Sequence, residues 1–289
     1  MPRRDTAGCG CRQAGSELLP DPPGNAIEVR DLVKRYRRAP ANAVDGICFD
    51  VPAGQMFCLL GPNGAGKTTT VSILTTTLAA TSGSVRIVGH DLASERSLVR
   101  RAVGAVFQQP SLDLNLTAEE NIRLHAVLYG LYPWRPLHAL MPQRYRAHVR
   151  DLADVLGIAD ALQQPARALS GGMRRKLEIV RALMHQPAVL FLDEPTAGLD
   201  PQSRRSLWAY LRETRNRYRT TVFFTTHYLE EAETADAVCI LARGRIIERG
   251  SPAEIKARQA SGTLEDAYLS LLERSDGAVR ACAGRANAF

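Results

Sequence analysis

Apolar residues along this chain occur in two alternating patterns, as short continuous runs and as longer segments with helical spacing. The short runs predict buried strands at Met56–Leu60, Val85–Val88, Val103–Phe107, Val189–Leu192, Thr221–Thr225 and Ala237–Leu241. Segments with helical spacing follow Gly66, Thr117, Ser170, Pro201 and Tyr228. Because strands that are apolar throughout need a covering layer on each face of their sheet, their alternation with helices predicts an α/β core.

One segment, residues 117–165, interrupts this alternation with helical patterns and no strand, and we interpret it as a helical insertion. It lies inside one predicted domain at 26–250, since the sequence contains no internal repeat. Residues 1–25 are rich in Gly, Pro and Ala and predict a flexible leader. After the domain we expect a short helical extension at 251–275 and a flexible tail at 276–289.

The composition is that of an ordinary globular protein. The 289 residues are 45% hydrophobic and 23% charged, which argues against a chain that is disordered as a whole. No stretch approaches the roughly 18 to 20 consecutive apolar residues of a membrane-spanning helix, so we expect none. The 37 basic and 30 acidic residues give a net charge of +7. This charge permits an acidic partner such as nucleic acid, lipid headgroups or nucleotide phosphate without choosing among them.

The clearest chemical motif is the glycine-rich segment Gly61–Thr68, directly after the predicted strand Met56–Leu60. It matches the phosphate-binding loop G-x-x-x-x-G-K-[ST], and a helical pattern follows it, as this loop requires. Glycines let backbone N–H groups turn toward phosphate oxygens, and the N-terminus of a helix favours negative charge. The sequence therefore predicts a nucleotide site in which Lys67 reaches the β- and γ-phosphates and the Thr68 hydroxyl ligates Mg²⁺.

A pair of acidic residues ends another apolar run. Asp193 stands at the carboxyl end of the predicted strand Val189–Leu192, where ligands gather in open α/β sheets, and it is our candidate for the second Mg²⁺ ligand. Glu194 follows directly, and alone it would be interpreted as a surface acid at a strand end. Beside Asp193 and the phosphate loop, it is the candidate general base that orients water for in-line attack.

Ser170, Gly171 and Gly172 open a further predicted helix, and alone they indicate only an N-cap with a flexible entry. Their place in a longer series is more specific. The phosphate loop, Gln108, Leu169–Met173, Val189–Pro195, the turn Ala197–Asp200 and Thr226–His227 follow one another in this order. In this order they resemble the nucleotide-binding domain of ATP-binding cassette (ABC) proteins, over about residues 27–250.

The resemblance implies a P-loop NTPase cassette: a mostly parallel core sheet, an N-terminal antiparallel β part and a helical insertion subdomain. It implies an ATPase that uses ATP and Mg²⁺. The implied ATP-binding residues are Tyr36, Gly61, Pro62, Asn63, Gly64, Ala65, Gly66, Lys67, Thr68 and Thr69.

Three of the implied roles belong to single side chains. Tyr36 matches the aromatic residue that stacks on adenine, although an ordinary tyrosine in a turn after a strand is the alternative. Gln108 resembles the glutamine that contacts Mg²⁺ or water and senses the membrane partner, and Gln109 is adjacent to it. His227 resembles the histidine that hydrogen-bonds the γ-phosphate.

The resemblance also implies that two cassettes pair head to tail. Ser170, Gly171 and Gly172 then bind the ATP held by the opposite phosphate loop, and Asp200 belongs to the loop between the two sites. With one cassette in this chain, the second must come from another chain, as a homodimer or heterodimer. Met173 departs from the usual glutamine of this signature, and a thioether cannot donate that residue's amide hydrogen bonds.

Within the family, several sequence segments resemble those of ABC-2-type export ATPases of the drug-resistance and nodulation-factor kind. They include Leu169–Ile179, Ser111–Thr117 and Thr225–Ala232. This resemblance implies a separate transmembrane permease, a coupling groove near Gln108 and Leu112–Leu116, and a peripheral position on the cytoplasmic face of the membrane.

Two other classes are weighed against the exporter. A soluble ABC ATPase acting on ribosomes or nucleic acid is the main alternative, but such proteins usually carry two cassettes or a long coiled coil. A nucleotide-binding regulator without turnover is disfavoured because Glu194 and His227 are both present. We therefore expect no nucleic-acid partner. The basic segment 134–150 is either a solvated helix face or a docking surface for lipid headgroups or the partner.

Overall fold

The structure is a computed structural model that describes residues 24–109 and 111–286. The predicted leader therefore lies almost wholly outside the described residues. The strands of the described part, in chain order, are β1 (Asn25–Lys34), β2 (Val44–Pro52), β3 (Met56–Leu60), β4 (Ser82–Ile87), β5 (His90–Asp91), β6 (Val103–Val106), β7 (Val189–Asp193), β8 (Thr221–Thr226), β9 (Ala237–Ala242) and β10 (Arg245–Gly250). Its α-helices are α1 (Lys67–Leu74), α2 (Arg96–Ala102), α3 (Ala118–Leu128), α4 (Gln143–Leu156), α5 (Gly171–Leu183), α6 (Pro201–Tyr218), α7 (Leu229–Ala232), α8 (Pro252–Arg258) and α9 (Leu264–Ala286).

These strands form two sheets. The first is antiparallel, in the order β2-β1-β4-β5, and the second has the order β10-β9-β3-β8-β7-β6. All pairs of the second sheet are parallel except β10 with β9. An N-terminal antiparallel part and a mostly parallel core sheet are the arrangement that the family resemblance implies.

The central strands are buried on both faces, which explains their continuous apolar runs. On one face, Phe57 of β3 stacks on Phe223 of β8 with ring centroids 5.2 Å apart, and Phe49 of β2 packs on Phe57 at 5.4 Å. On the other face, Phe224 meets Trp208 of α6 at 4.6 Å. Adjacent residues of one strand thus serve two hydrophobic clusters, one beneath the antiparallel sheet and one beneath the helices.

The segment 117–165 contains helices and no strand, as its apolar pattern predicts. Its two ends meet, because Thr117 pairs with Pro165 and the backbone N–H of Ala118 donates to the carbonyl of Gln164 at 3.0 Å. Thr117 also forms a capping box with Glu120, which fixes where α3 begins. The insertion therefore leaves and re-enters the core at one place.

The C-terminal part is helical for longer than the sequence analysis expects. After α8, helix α9 continues to Ala286, so regular structure extends beyond the predicted boundary at residue 275. Across the described part of the chain, no helix combines the length and the apolar character needed to cross a bilayer.

Candidate functional site

Parallel pairing brings the predicted site residues to one edge of the core sheet. Leu60 of β3 pairs with Thr226 of β8, Asp193 of β7 pairs with Thr225 of β8, and Val106 of β6 pairs with Leu192. The residues that follow these strand ends therefore emerge side by side: the phosphate loop, His227, Glu194 and the segment with Gln108. This edge is where open α/β sheets bind their ligands.

The phosphate loop connects β3 to α1, and two of its glycines are enforced by close backbone contacts. A Cβ at Gly61 would lie 2.3 Å from the carbonyl oxygen of Leu241, and a Cβ at Gly66 would lie 2.3 Å from that of Ala43. Gly66 also has φ +108°, a backbone conformation that residues with a side chain rarely adopt. It is the N-cap of α1, and no side chain caps this helix. The first turn of α1 thus presents its backbone N–H groups toward the loop.

Replacing Gly66 with Ala should lower the free energy of unfolding by about 2 kcal/mol more than replacing Gly64, because Gly64 shares a positive φ but has open space around its Cβ position. Urea unfolding of the two variants measures this difference. Equal losses would show that the backbone at Ala43 moves aside and that close contact does not enforce glycine there.

Lys67 begins α1 and points back into the loop. Its Nζ donates to the carbonyls of Gly61 at 2.8 Å and Pro62 at 3.1 Å, and it lies 3.6 Å from Oε1 of Glu194. Only 5% of the side chain is exposed. Burial lowers the pKa of this ammonium, and the nearby Glu194 carboxylate opposes the shift.

Asp193, the last residue of β7, is fully buried. Its Oδ1 accepts a 2.6 Å hydrogen bond from the hydroxyl of Thr225, whereas Oδ2 has no hydrogen-bond partner among the described residues. A buried carboxylate oxygen without a partner is costly. A divalent cation at this position would satisfy it, so the donor set fits the predicted Mg²⁺ site.

Glu194 leaves β7 in a left-handed conformation, with φ +46°. Its backbone N–H donates to the Thr225 hydroxyl at 3.1 Å, so one threonine holds both acidic residues. Its Oε1 lies 3.3 Å from Nδ1 of His227 and 3.6 Å from Nζ of Lys67. The carboxylate is thus held between two nitrogen groups at the mouth of the phosphate loop.

Gln108, Tyr36 and Thr68 are more open. Gln108 lies two residues beyond β6, is exposed and makes no hydrogen bond to the residues that the structure describes. Tyr36 follows β1 in a turn, and its hydroxyl lies 3.3 Å from Oγ1 of Thr69 on α1. The residue is 45% exposed, and Nζ of Lys34 lies over its ring, 5.5 Å from the centroid. Thr68 is exposed on the first turn of α1.

Three residues of the predicted signature, Ser170, Gly171 and Gly172, lie at the start of α5. The hydroxyl of Ser170 caps the helix by accepting from the N–H of Met173 at 3.2 Å, and Gly171 has open space around its Cβ position. Asp200 caps α6 in the same way, accepting from Ser203 N–H at 2.9 Å. The Met173 side chain packs against the hydrophobic core.

Sequence reasoning missed Thr225 and Arg175. Thr225 is one of three threonines in β8, and its only sequence signal is a hydroxyl directly after the apolar residues of that strand. The guanidinium of Arg175 is buried and donates to the carbonyls of Phe107, Asp193 and Pro195. A pair of opposite charges three residues apart, Arg175 and Glu178, is its only signal in the sequence.

Comparisons with known proteins agree with this geometry. The ABC transporter family model matches residues 44–197. The chain is 41% identical over 243 residues to the daunorubicin/doxorubicin resistance ATP-binding protein DrrA of Streptomyces peucetius, covering 84% of this chain and 70% of that protein. It is 37% identical over 254 residues to the Nod factor export ATP-binding protein I of Ralstonia nicotianae, covering 86% and 75%.

Among solved structures, an ATP-binding subunit of an ABC transporter is similar with a TM-score of 0.74 and 29% identity. The match covers 86% of this chain and 99% of that one.

Proposed function

This chain belongs to the ABC transporter family, and from that premise we propose that it is the ATP-binding and ATP-hydrolysing subunit of an exporter. ATP-driven head-to-tail pairing of two cassettes would power a separate membrane permease, and hydrolysis would reset it. The observation that carries this proposal is the Glu194 carboxylate, which lies between Lys67 and His227. Glu194 directly follows Asp193, whose Oδ2 has no hydrogen-bond partner among the described residues. Relatives named for drug resistance and Nod factor export support the direction of transport.

Binding of ATP begins at the phosphate loop. The backbone N–H groups of the loop and of the first turn of α1, including Thr69, receive the phosphate oxygens. Lys67 exchanges its hydrogen bonds to Gly61 and Pro62 for the β- and γ-phosphates. Tyr36, which is 45% exposed, would stack its ring on the adenine base.

Three oxygen-bearing side chains would hold Mg²⁺. They are Asp193, through its unpaired Oδ2, the exposed hydroxyl of Thr68, and Gln108. When bound, the ion neutralises charge that develops on the phosphates.

Glu194 would act as the general base. Its carboxylate takes a proton from water as the water oxygen bonds to the γ-phosphorus and the bond to the ADP oxygen breaks. Nζ of Lys67 lies 3.6 Å from Oε1 of this carboxylate. His227, whose Nδ1 lies 3.3 Å from Oε1 of Glu194, would orient this carboxylate and hydrogen-bond the γ-phosphate.

Pairing of two cassettes would complete each site. Ser170 makes no hydrogen bond to the phosphate loop of its own chain among the described residues, and the N-terminus of α5 at Gly171 is open. We assign Ser170, Gly171 and Gly172 to the γ-phosphate of the opposite cassette, and Asp200 to the loop between the two sites. A homodimer would then carry Glu194 in both sites, and both would hydrolyse ATP.

The permease would dock on the helical insertion. Seven of the twelve large apolar side chains exposed among the described residues lie between Leu124 and Leu140. Isolated apolar side chains on a surface are ordinary, but a concentration of them marks an interaction site. We call Leu128, Leu131, Trp134, Leu137 and Leu140 the insertion patch. Docking there would hold the chain on the cytoplasmic face of the membrane.

The test of the transport function is recovery of the partner. The tagged chain is expressed in its native cell with ATP present, the membranes are solubilised in mild detergent, and co-purifying proteins are identified by mass spectrometry. A stoichiometric multi-span membrane protein is the expected result. Recovery only from the soluble fraction, with ribosomal or nucleic-acid partners, would contradict the exporter and favour the alternative soluble ATPase.

The insertion patch gives a prediction of its own. Replacing Trp134 and Leu137 together with Ser should lower recovery of the permease about 10-fold or more, because exposed aromatic and aliphatic anchors dominate such interfaces. ATP binding should stay unchanged. The control is Leu269→Ser on α9, which removes a side chain of similar exposure outside the patch. Equal recovery from the two variants would place the permease elsewhere.

A further inference from the structure

Arg175 lies five residues beyond Ser170 on α5, and its buried guanidinium joins two loops of the site. Nη1 donates to the carbonyl of Phe107 at 2.5 Å, directly before Gln108. Nη2 donates to the carbonyls of Asp193 at 2.9 Å and Glu194 at 3.4 Å, and Nε donates to that of Pro195 at 3.0 Å. One side chain therefore connects the backbone before Gln108 with the backbone that carries both acidic residues.

The next turn of α5 holds the far side of Gln108. Glu178 is buried, and its Oε2 lies 3.1 Å from Nη1 of Arg175. Its Oε1 accepts from the backbone N–H of Ser111 at 2.8 Å. Arg181 donates to the Ser111 carbonyl at 2.7 Å. Side chains of helix α5 thus bind the backbone on both sides of Gln108. Arg175, one member of the ion pair, also donates to the carbonyl of Glu194.

We propose that the Arg175–Glu178 pair positions the Glu194 carboxylate and couples it to the backbone around Gln108. The inference rests on the proposed function, in which Glu194 is the general base. Glu194 has φ +46°, which is uncommon for a residue other than glycine and needs contacts that hold it. Arg175 supplies one of these contacts at the Glu194 carbonyl, and Thr225 supplies another at its N–H. A displacement of Phe107 or Ser111 is transmitted through the pair to Glu194.

Stability alone does not account for this pair. Taking two charges out of water costs free energy that an ion pair often fails to recover, and apolar residues of similar volume would fill the same space. The bonds are instead directed to backbone groups of two separate segments, so the pair fixes their relative position.

The test compares turnover in two backgrounds. Arg175→Met should lower kcat about 10- to 100-fold, because a small displacement of a catalytic group has effects of this size. The dissociation constant of a fluorescent ATP analogue should change less than about 2-fold, since Arg175 makes no contact with the phosphate loop. In single-turnover hydrolysis on a Glu194→Gln background, the same substitution should cost less than about 3-fold, because residues that act through one group are not additive.

Glu178→Met should give the same loss as Arg175→Met, and the double variant should lose no more than either single one. Arg212→Met, an exposed arginine of α6, controls for the change of residue type and should turn over as wild type. The coupling would be overturned if the losses of Arg175→Met and Glu178→Met multiplied in the double variant. It would also be overturned if the loss of Arg175→Met multiplied with that of Glu194→Gln.

If Arg175→Met fails to fold, Arg175→Lys takes its place in the test. This substitution keeps the charge beside Glu178 but loses the planar fork that reaches several carbonyls at once. Reduced kcat with normal ATP binding supports the proposal, and wild-type kcat overturns it. If the wild-type chain does not hydrolyse ATP, or if Glu194→Gln turns over normally, the proposed function is contradicted. These two outcomes differ from those that test the Arg175–Glu178 pair, so the two failures can be told apart.

Discussion

Glu194→Gln should bind ATP as the wild-type chain does and hydrolyse it about 10²- to 10⁴-fold more slowly, which is the usual cost of removing a general base. The amide has nearly the shape of the carboxylate, so the left-handed backbone and the hydrogen bond from Glu194 N–H to Thr225 should persist. What is lost is the proton acceptor between Lys67 and His227. ATP should then remain bound, and paired cassettes should accumulate.

Three measurements check this result: steady-state release of phosphate, titration with a fluorescent ATP analogue, and the mass of the ATP-bound species in solution. The matched control is Glu230→Gln, which removes an exposed carboxylate of α7 and should leave kcat unchanged. Turnover near the wild-type rate in the Glu194 variant would show that another group, with His227 the nearest candidate, activates the water.

The sequence predicts the core sheet well because its strands are buried on both faces and so carry continuous apolar runs. The runs at Met56–Leu60 and Val189–Leu192 agree with β3 and β7 to within one residue. Two elements with few or no fully buried residues were missed. Strand β10 is a partly exposed edge strand with mixed residues, and α2 buries a single residue, Val99. Neither has enough apolar residues for a periodic signal.

Some residues of the candidate site could be predicted from the sequence, and others could not. Phosphate-loop and acidic residues could be predicted because their chemistry depends on residue type at a fixed local spacing, and strand register then places Lys67, Asp193 and Glu194 together. Arg175 could not be predicted, because it acts on the carbonyls of Phe107 and Pro195, which lie 68 and 20 residues away along the chain. Backbone acceptors leave no mark on the sequence.

Lys67→Ala should lower the affinity for ATP about 100-fold or more, because it removes a buried charge from the phosphate loop. The loop itself should survive. Gly61 and Gly66 are fixed by contacts with Leu241 and Ala43, which do not involve the ammonium. The loss should therefore appear in a titration with a fluorescent ATP analogue while circular dichroism and the midpoint of thermal unfolding stay close to those of the wild type.

Two further variants separate the charge from its placement. Lys256→Ala removes a lysine paired with Glu233 outside the site and should bind ATP normally, which controls for the change in net charge. Lys67→Arg keeps the charge, but its planar guanidinium is bulkier than the ammonium that lies within 3.1 Å of both Gly61 and Pro62 carbonyls. It should bind ATP nearly as poorly as Lys67→Ala. Full binding by the arginine variant would mean that charge alone suffices, and normal binding by the alanine variant would remove Lys67 from the nucleotide site.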